Sequence, residues 1–445
     1  MKRSVKTIQY VLIAVLLAAG AAFTFVYLEW EKPVIEVDRP FDTIGSARSV
    51  AVVMKDAKSG IRSYEVALVQ GGKRFIVEGA DLPEKGFHDK RLQLEISPGR
   101  LGVKDGEAVF SVRVTDFSPL RNTAVYEAKV KVDQVPPRIA VLSRAHNVNA
   151  GGTCLVVYRV TKEVAASGVK CQDSFFPGYE VRGQKGSYFI AYFAVPRDMT
   201  PSTPVAVTAV DKGGNSAVAA VPVYLRKTAP FRSDTEAVSD SFLQQKAAEF
   251  QQADSRLANK SPQEIFSFVN STVRQENDAK IRSICARSAP ERIWDGDAFL
   301  RMKNAAPKAL FGDERTYVYR GVPLGSSVHL GVDLASLAQA AVEAANAGKV
   351  VFADFLGIYG NCVILDHGQG VFSLYAHLST ISVKPGEVVS KGGQLGTSGA
   401  TGFAGGDHLH FSMLVSGVFV DPKEWWDPHW IRDNVTSKLE SAEDL

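Results

Sequence analysis

The stretch Gly406-Asp407-His408-Leu409-His410-Phe411-Ser412-Met413-Leu414-Val415 decides how this chain is read. Side chains alternate in it as on a β-strand with one face turned to a core. Leu409 and Phe411 take the core face, and His408 and His410 share the other. Burying imidazoles costs desolvation, so two on one strand face need a use. Five of the eight histidines fall between 329 and 410.

Working outward, two further patterns join the first. In His329-Leu330-Gly331-Val332-Asp333, read as a strand, residues 329, 331 and 333 share a face. His329 and Asp333 then point the same way, and Gly331 leaves room between them that a metal ion could occupy. Tyr375-Ala376-His377-Leu378 alternates in polarity again. All three lie in a glycine-rich run of strands and turns from Phe311 to Trp430, punctuated by Gly392-Gly393 and Gly405-Gly406. Two imidazoles and a carboxylate leave one position of a tetrahedral zinc open, which is a catalytic rather than a structural arrangement. The two remaining histidines are free for proton transfer or charge stabilisation.

These motifs stand in order with Phe311-Gly312, Ala344-Ala345-Asn346-Ala347-Gly348-Lys349-Val350, Gly360-Asn361, Asp366-His367-Gly368, Gly396-Thr397-Ser398-Gly399-Ala400-Thr401-Gly402 and Asp421-Pro422 with Trp425-Trp426. The series resembles the lysostaphin-type, or LytM-type, zinc peptidases. The resemblance implies an antiparallel β peptidase domain over 301–430. It implies one zinc ion per chain held by His329, Asp333 and His410, with His377 and His408 as the catalytic histidines. It further implies hydrolysis of peptides in bacterial peptidoglycan. Some members of the family lack zinc ligands and only activate other wall hydrolases; here none of the five positions is missing. The alternatives kept open are a non-catalytic wall-binding scaffold or activator, and a peptidase acting on other extracytoplasmic proteins. On chemical grounds His408 accepts the proton of the attacking water and passes it to the leaving amine, while His377 donates to the oxyanion; the two roles can be exchanged.

The rest of the 445 residues is ordinary folded protein, 45% hydrophobic and 22% charged, which excludes a disordered or low-complexity chain. A net charge of +3 gives no sign of nucleic-acid binding, and four cysteines are too few for a disulfide scaffold. The front of the chain is basic and the back acidic.

At the N-terminus, Lys2, Arg3 and Lys6 precede an uncharged, mostly apolar run, and Glu29 and Glu31 follow. Residues 7–28 are expected to be a transmembrane signal anchor, with the N-terminus inside and the bulk of the chain extracytoplasmic, in the periplasm. Ala19-Gly20-Ala21 would suit cleavage as a signal peptide, but the apolar run continues through Phe23, Phe25, Val26 and Tyr27. No second run of this length follows, so a single pass through the cytoplasmic membrane is expected.

Alternating runs between turn signals suggest two tandem β-sandwiches, 34–136 and 137–226, that look like bacterial immunoglobulin-like modules and could recruit protein partners. The run Phe110 to Asp116 resembles Val205 to Asp211, and each is followed by an asparagine, Asn122 or Asn215, which reads as a weak internal duplication. Cys154 and Cys171 could pair outside the cytoplasm, or stay as buried thiols; Cys285 and Cys362 pose the same choice.

Residues 228–300 read as a helical linker or hairpin. Ser261-Pro262-Gln263-Glu264 forms a capping box, and Ile265, Phe266, Phe268, Val269 and Val273 lie on one helical face. That face has to be buried, either as a spacer against a sandwich or as a cover beside the peptidase groove. Residues 431–445 read as a polar tail. His367 is expected to be structural in a turn, and His88, His146 and His429 to be solvated.

Overall fold

A computed structural model of the chain describes residues 10–20, 29–144, 146–184 and 186–443. These form two compact units, one of Met1–Pro137 with Lys162–Ala165 and Val210–Ala217, the other of the remainder. Both are mainly β.

The expected transmembrane anchor is corrected. Among the described residues no helix is long and apolar enough to cross a membrane. Residues 10–20 are helical. Residues 7–9 and 21–28 of the expected span lie outside the described residues. The single-pass placement in the cytoplasmic membrane, and contact with it through this helix, are withdrawn on the same finding.

The first unit holds a three-stranded sheet of Val34–Val37, Arg48–Lys55 and Asp89–Ile96, and a five-stranded one built around Ile61–Gln70, Gly106–Asp116 and Thr123–Val132. Alternation puts Val50, Val52 and Met54 of one sheet in a common core with Val66, Leu68, Phe110 and Val112 of the other.

In the second unit, residues 138–209 include an antiparallel sheet in which Thr153–Val160 lies between Gly186–Ala194 and Ile139–Val141. All four cysteines are free and buried, so of the two alternatives left open it is the buried thiols that are found. His146, expected to be solvated, is fully buried between Ser143 Oγ at 2.8 Å and the Pro222 carbonyl at 2.9 Å.

The C-terminal part is an antiparallel sheet of eight strands. Its centre runs Val332–Ala335, Leu409–Val415, Val371–Leu378, Asn361–Asp366, Gly348–Phe355. Both faces are covered. Leu409, Phe411, Met413 and Val415 pack with Trp425 and the preceding sandwich, whereas Leu414, Leu374 and Ala376 pack with helical residues.

Those helical residues come from the linker. Helices Asp240–Ala253, Pro262–Phe268 and Arg274–Ile284 follow one another, the last two joined by a π-turn at Val269–Val273. Ser261 and Glu264 make the reciprocal bonds of the capping box. Ile265, Val269, Val273 and Ile281 are buried with Ile358, Tyr359 and Cys362 of the sheet domain. Two features differ from the hairpin expected. The segment opens with a strand, Ser233–Ala237, paired in parallel with Glu314–Tyr319. No helix is described in residues 287–300.

The expected polar tail is helical from Ser437 to Glu443 after a π-turn at Arg432–Thr436. Ile431, Val435 and Ala442 are buried, and Lys438 Nζ donates to the Leu155 carbonyl at 3.0 Å. Its apolar residues recur at helical spacing among charged ones, a pattern too short to stand out in the sequence.

Candidate metal centre

Strand register assembles the site. Asp333 lies directly opposite His410 on the neighbouring strand, so the two side chains share a face. His408 precedes His410 by two and lies on that face, held by an isolated bridge to Gly399. His329 is not on a strand: one strand ends at Val328 and the next, in another sheet, begins at Val332. Gly331 lies in this break. A Cβ there would come within 2.6 Å of His410 Nε2, the Phe411 carbonyl and Ser412 Oγ. The room expected between His329 and Asp333 is therefore filled by the neighbouring strand, and glycine is required for that close approach.

His377 reaches the site against the pleat. Ala376 is paired with His410, so simple alternation would turn His377 to the other face. At His377 φ is +61°, the left-handed region that non-glycine residues avoid. Its ring thereby comes within 4.9 Å of the His408 ring and 5.7 Å of the His410 ring, centre to centre.

Three ligand atoms converge. His329 Nε2 and His410 Nδ1 each lie 2.9 Å from Asp333 Oδ1 and 3.0 Å from one another. Their outer hydrogen bonds set the tautomers. His329 Nδ1 donates to the Leu310 carbonyl at 2.9 Å, because a carbonyl can only accept. Ser412 Oγ spends its proton on the Leu330 carbonyl, so His410 Nε2 donates to Ser412 Oγ at 3.0 Å. In the neutral rings His329 Nε2 and His410 Nδ1 then carry lone pairs, and both face a carboxylate oxygen. Burial lowers the His410 pKa to about 4, which keeps that ring neutral. Such a cluster repels itself unless a cation or a proton lies inside it, and nitrogen with carboxylate oxygen is a donor set that suits zinc. The residues present fit the ion the sequence implies.

A cavity of about 160 Å³ opens onto this trio, lined also by His377, His408, Arg274, Arg315, Tyr359 and Phe403. Arg315 Nη2 approaches the other Asp333 oxygen at 3.4 Å, while its Nε pairs with Glu236 at 3.2 Å. His377 Nδ1 donates to the Thr401 carbonyl and His408 Nδ1 to the Gly406 carbonyl, leaving each Nε2 facing the cavity side. Burial, with the charges of His408 and His410, pushes His377 well below the ordinary imidazole value. Burial alone would lower His408 too, but Asp333, 3.4 Å away, raises it above that value.

All five residues expected from sequence thus meet at one cavity. His367 is away from it, buried between the Ala347 carbonyl and Ser373 Oγ at 2.7 Å each. Sequence reading missed Arg274, Arg315 and Tyr359. Arg315 shares a strand face with Tyr317, which is the signal that could have found it; Arg274 and Tyr359 carry no local signal.

The part of the chain that carries this site is similar in sequence to known proteins. The profile of peptidase family M23 matches residues 327–422. The DD-carboxypeptidase/endopeptidase Mpg of Neisseria meningitidis serogroup B is 40% identical over 96 residues, which are 21% of this chain and 22% of that protein. The peptidoglycan DD-endopeptidase ShyA of Vibrio cholerae is 39% identical over 89 residues, 20% of this chain and 21% of that protein. The chain thus spans about a fifth of the length of these curated relatives. The solved catalytic domain of the antimicrobial peptidase lysostaphin from Staphylococcus simulans aligns with 28% of this chain and 92% of its own, at 30% identity and a TM-score of 0.24. The C-terminal domain of this chain is of the LytM/lysostaphin type. Its residues 327–422 are a domain of peptidase family M23.

Proposed function

We propose that this domain hydrolyses peptide bonds of bacterial peptidoglycan, with one zinc ion held by His329, Asp333 and His410. The observation that carries the reading is the convergence of three lone-pair atoms within 3.0 Å of one another at a cavity that two further histidines line. The printed activities of Mpg and ShyA support the substrate class. Bound there, zinc would polarise a scissile carbonyl and make a water molecule more acidic.

The chain's own groups supply proton transfer. The contact of His408 Nε2 with Asp333 Oδ1, 3.4 Å, which His377 lacks, suits the exchanged assignment of the two histidines. His377, neutral and with Nε2 bare, suits acceptance of the water proton. His408, biased towards its protonated form by Asp333, suits donation to the oxyanion or the leaving amine. Arg315, by holding Asp333 Oδ2, leaves Oδ1 to face the two imidazoles.

The test is digestion of purified sacculi by the full chain, followed by mass spectrometry of the released fragments. Cross-linked peptide dimers converted to monomers support the reading. Intact cross-links with zinc present would overturn it in favour of a non-catalytic wall protein.

A further inference from the structure

The peptidase chemistry leaves the duplicated aspartate–asparagine motif unused. In both copies the asparagine makes the same two contacts. Asn122 Nδ2 donates to Asp116 Oδ2 at 2.9 Å and to the Glu29 carbonyl at 2.9 Å. Asn215 Nδ2 donates to Asp211 Oδ2 at 2.9 Å and to the Asp133 carbonyl at 2.8 Å. The residue pairs Asp116 with Glu29, and Asp211 with Asp133, therefore correspond.

In the second copy a cation completes the arrangement. Lys162 Nζ lies 2.8 Å from Asp211 Oδ2, 2.9 Å from Asp133 Oδ1 and 2.7 Å from the Val135 carbonyl. Lys162 stands just beyond the strand Thr153–Val160. In the first copy the corresponding place, just beyond the strand Arg48–Lys55, belongs to Asp56. An ammonium is replaced there by a third carboxylate.

Glu29, Asp56 and Asp116 each bring an oxygen within 4.8 Å of the others, and are 8%, 4% and 0% exposed. Among the described residues no basic side chain pairs with any of them; the ion pairs of this unit lie elsewhere. Backbone N–H groups of Lys58 and Gly60 occupy Asp56 Oδ1, and that of Ser59 occupies Glu29 Oε2. Among the described residues Asp56 Oδ2 receives no hydrogen bond, those from the loop going to Oδ1. Ser59 Oγ, three residues further on, is buried without a partner. Three negative groups sheltered from water and lacking a counter-charge repel one another strongly.

We propose that Glu29, Asp56 and Asp116 bind one calcium ion, which takes in the first copy the place that the Lys162 ammonium takes in the second. The donors are all oxygen, which selects a hard cation over zinc. They come from a chain entry and two loops rather than a rigid octahedral cage, which selects calcium over magnesium. The ion ties the entry at Glu29 to the loops at 56–60 and 116–122. This inference does not depend on the peptidase reading.

The test is calcium titration of the full chain by calorimetry in zinc-supplemented buffer. One calcium per chain is expected, with an unfolding midpoint that rises with calcium concentration. Glu29→Gln and Asp116→Asn should each weaken calcium binding about tenfold or more, with zinc content unchanged. Asp56→Lys should abolish uptake, and without calcium should melt close to the calcium-loaded wild type. No uptake by the wild type at millimolar calcium would overturn the proposal, as would tighter binding of magnesium or unchanged uptake by Glu29→Gln. If Asp116→Asn does not fold, Glu29→Gln decides alone, because among the described residues the one hydrogen bond its carboxylate accepts comes from the Ser59 N–H.

Discussion

Among single residues, His377 and His408 differ more than their shared chemistry suggests. One is neutral through burial and neighbouring charge, the other is drawn to its protonated form by Asp333. In the proposed assignment, hydrolysis needs His377 without its proton and His408 with it. Activity should persist into acid below the ordinary imidazole range, and should fall as pH rises through the elevated pKa of His408. His408→Ala should keep its zinc, lose about 10²- to 10⁴-fold in kcat, and lose the alkaline limb of the pH profile. A variant with near wild-type rate, or with the alkaline limb intact, would place the acid elsewhere. His408 stood out in the sequence as part of an HxH pair and His377 within Tyr375-Ala376-His377-Leu378, while their expected roles came from the family resemblance. How His377 enters the site was not legible: its positive φ breaks the alternation of the strand, and its ring is held by the Thr401 carbonyl, 24 positions away.

Among elements, the short helix Pro422–Trp426 joins the peptidase sheet to the preceding sandwich. Its Glu424, 8% exposed, accepts from the Thr153 N–H at 2.7 Å and from Asn149 Nδ2 at 3.0 Å. Trp425 Nε1 donates to Thr153 Oγ1 at 3.2 Å. Burial raises the Glu424 pKa to about 7, with Asp421 adding to the rise and Arg226 opposing it. Between the ordinary value of 4.5 and about 7 the folded chain keeps a proton that the unfolded chain has lost. Stability should therefore fall as pH rises through that window, by up to about 3 kcal/mol. Urea unfolding of the wild type at about pH 5 and about pH 8 should show the loss, and Glu424→Gln should remove most of it. An equal pH dependence in the variant would assign the effect to other groups. Strands and the capping box were readable from alternation and from Ser261-Pro262-Gln263-Glu264. The Glu424 contact was not, since it joins residues more than 270 positions apart.

At the scale of the whole molecule, the linker helices are part of the domain they precede. Lys246 Nζ donates to the Ala400 carbonyl at 2.8 Å, the Gly402 N–H donates to Glu249 at 2.5 Å, and Phe242, Phe250 and Phe266 pack on Phe403 beside the cavity. The apolar helical face was visible in the sequence, but its target was not, because the sheet it covers is assembled from strands distant in the chain. A fragment of residues 301–445 would expose Ile358, Tyr359 and Cys362. It should be less stable and less active than residues 228–445; a folded, more active short fragment would make the helices a removable cover instead.

The metal is the feature on which the proposed chemistry depends most directly. The measurement is zinc content per chain by mass spectrometry of the elements, for the full chain and for His410→Ala, each checked for folded β-structure by circular dichroism. The account predicts one zinc in the wild type and a folded variant that has lost it together with hydrolysis. A folded His410→Ala chain with full zinc occupancy would contradict it.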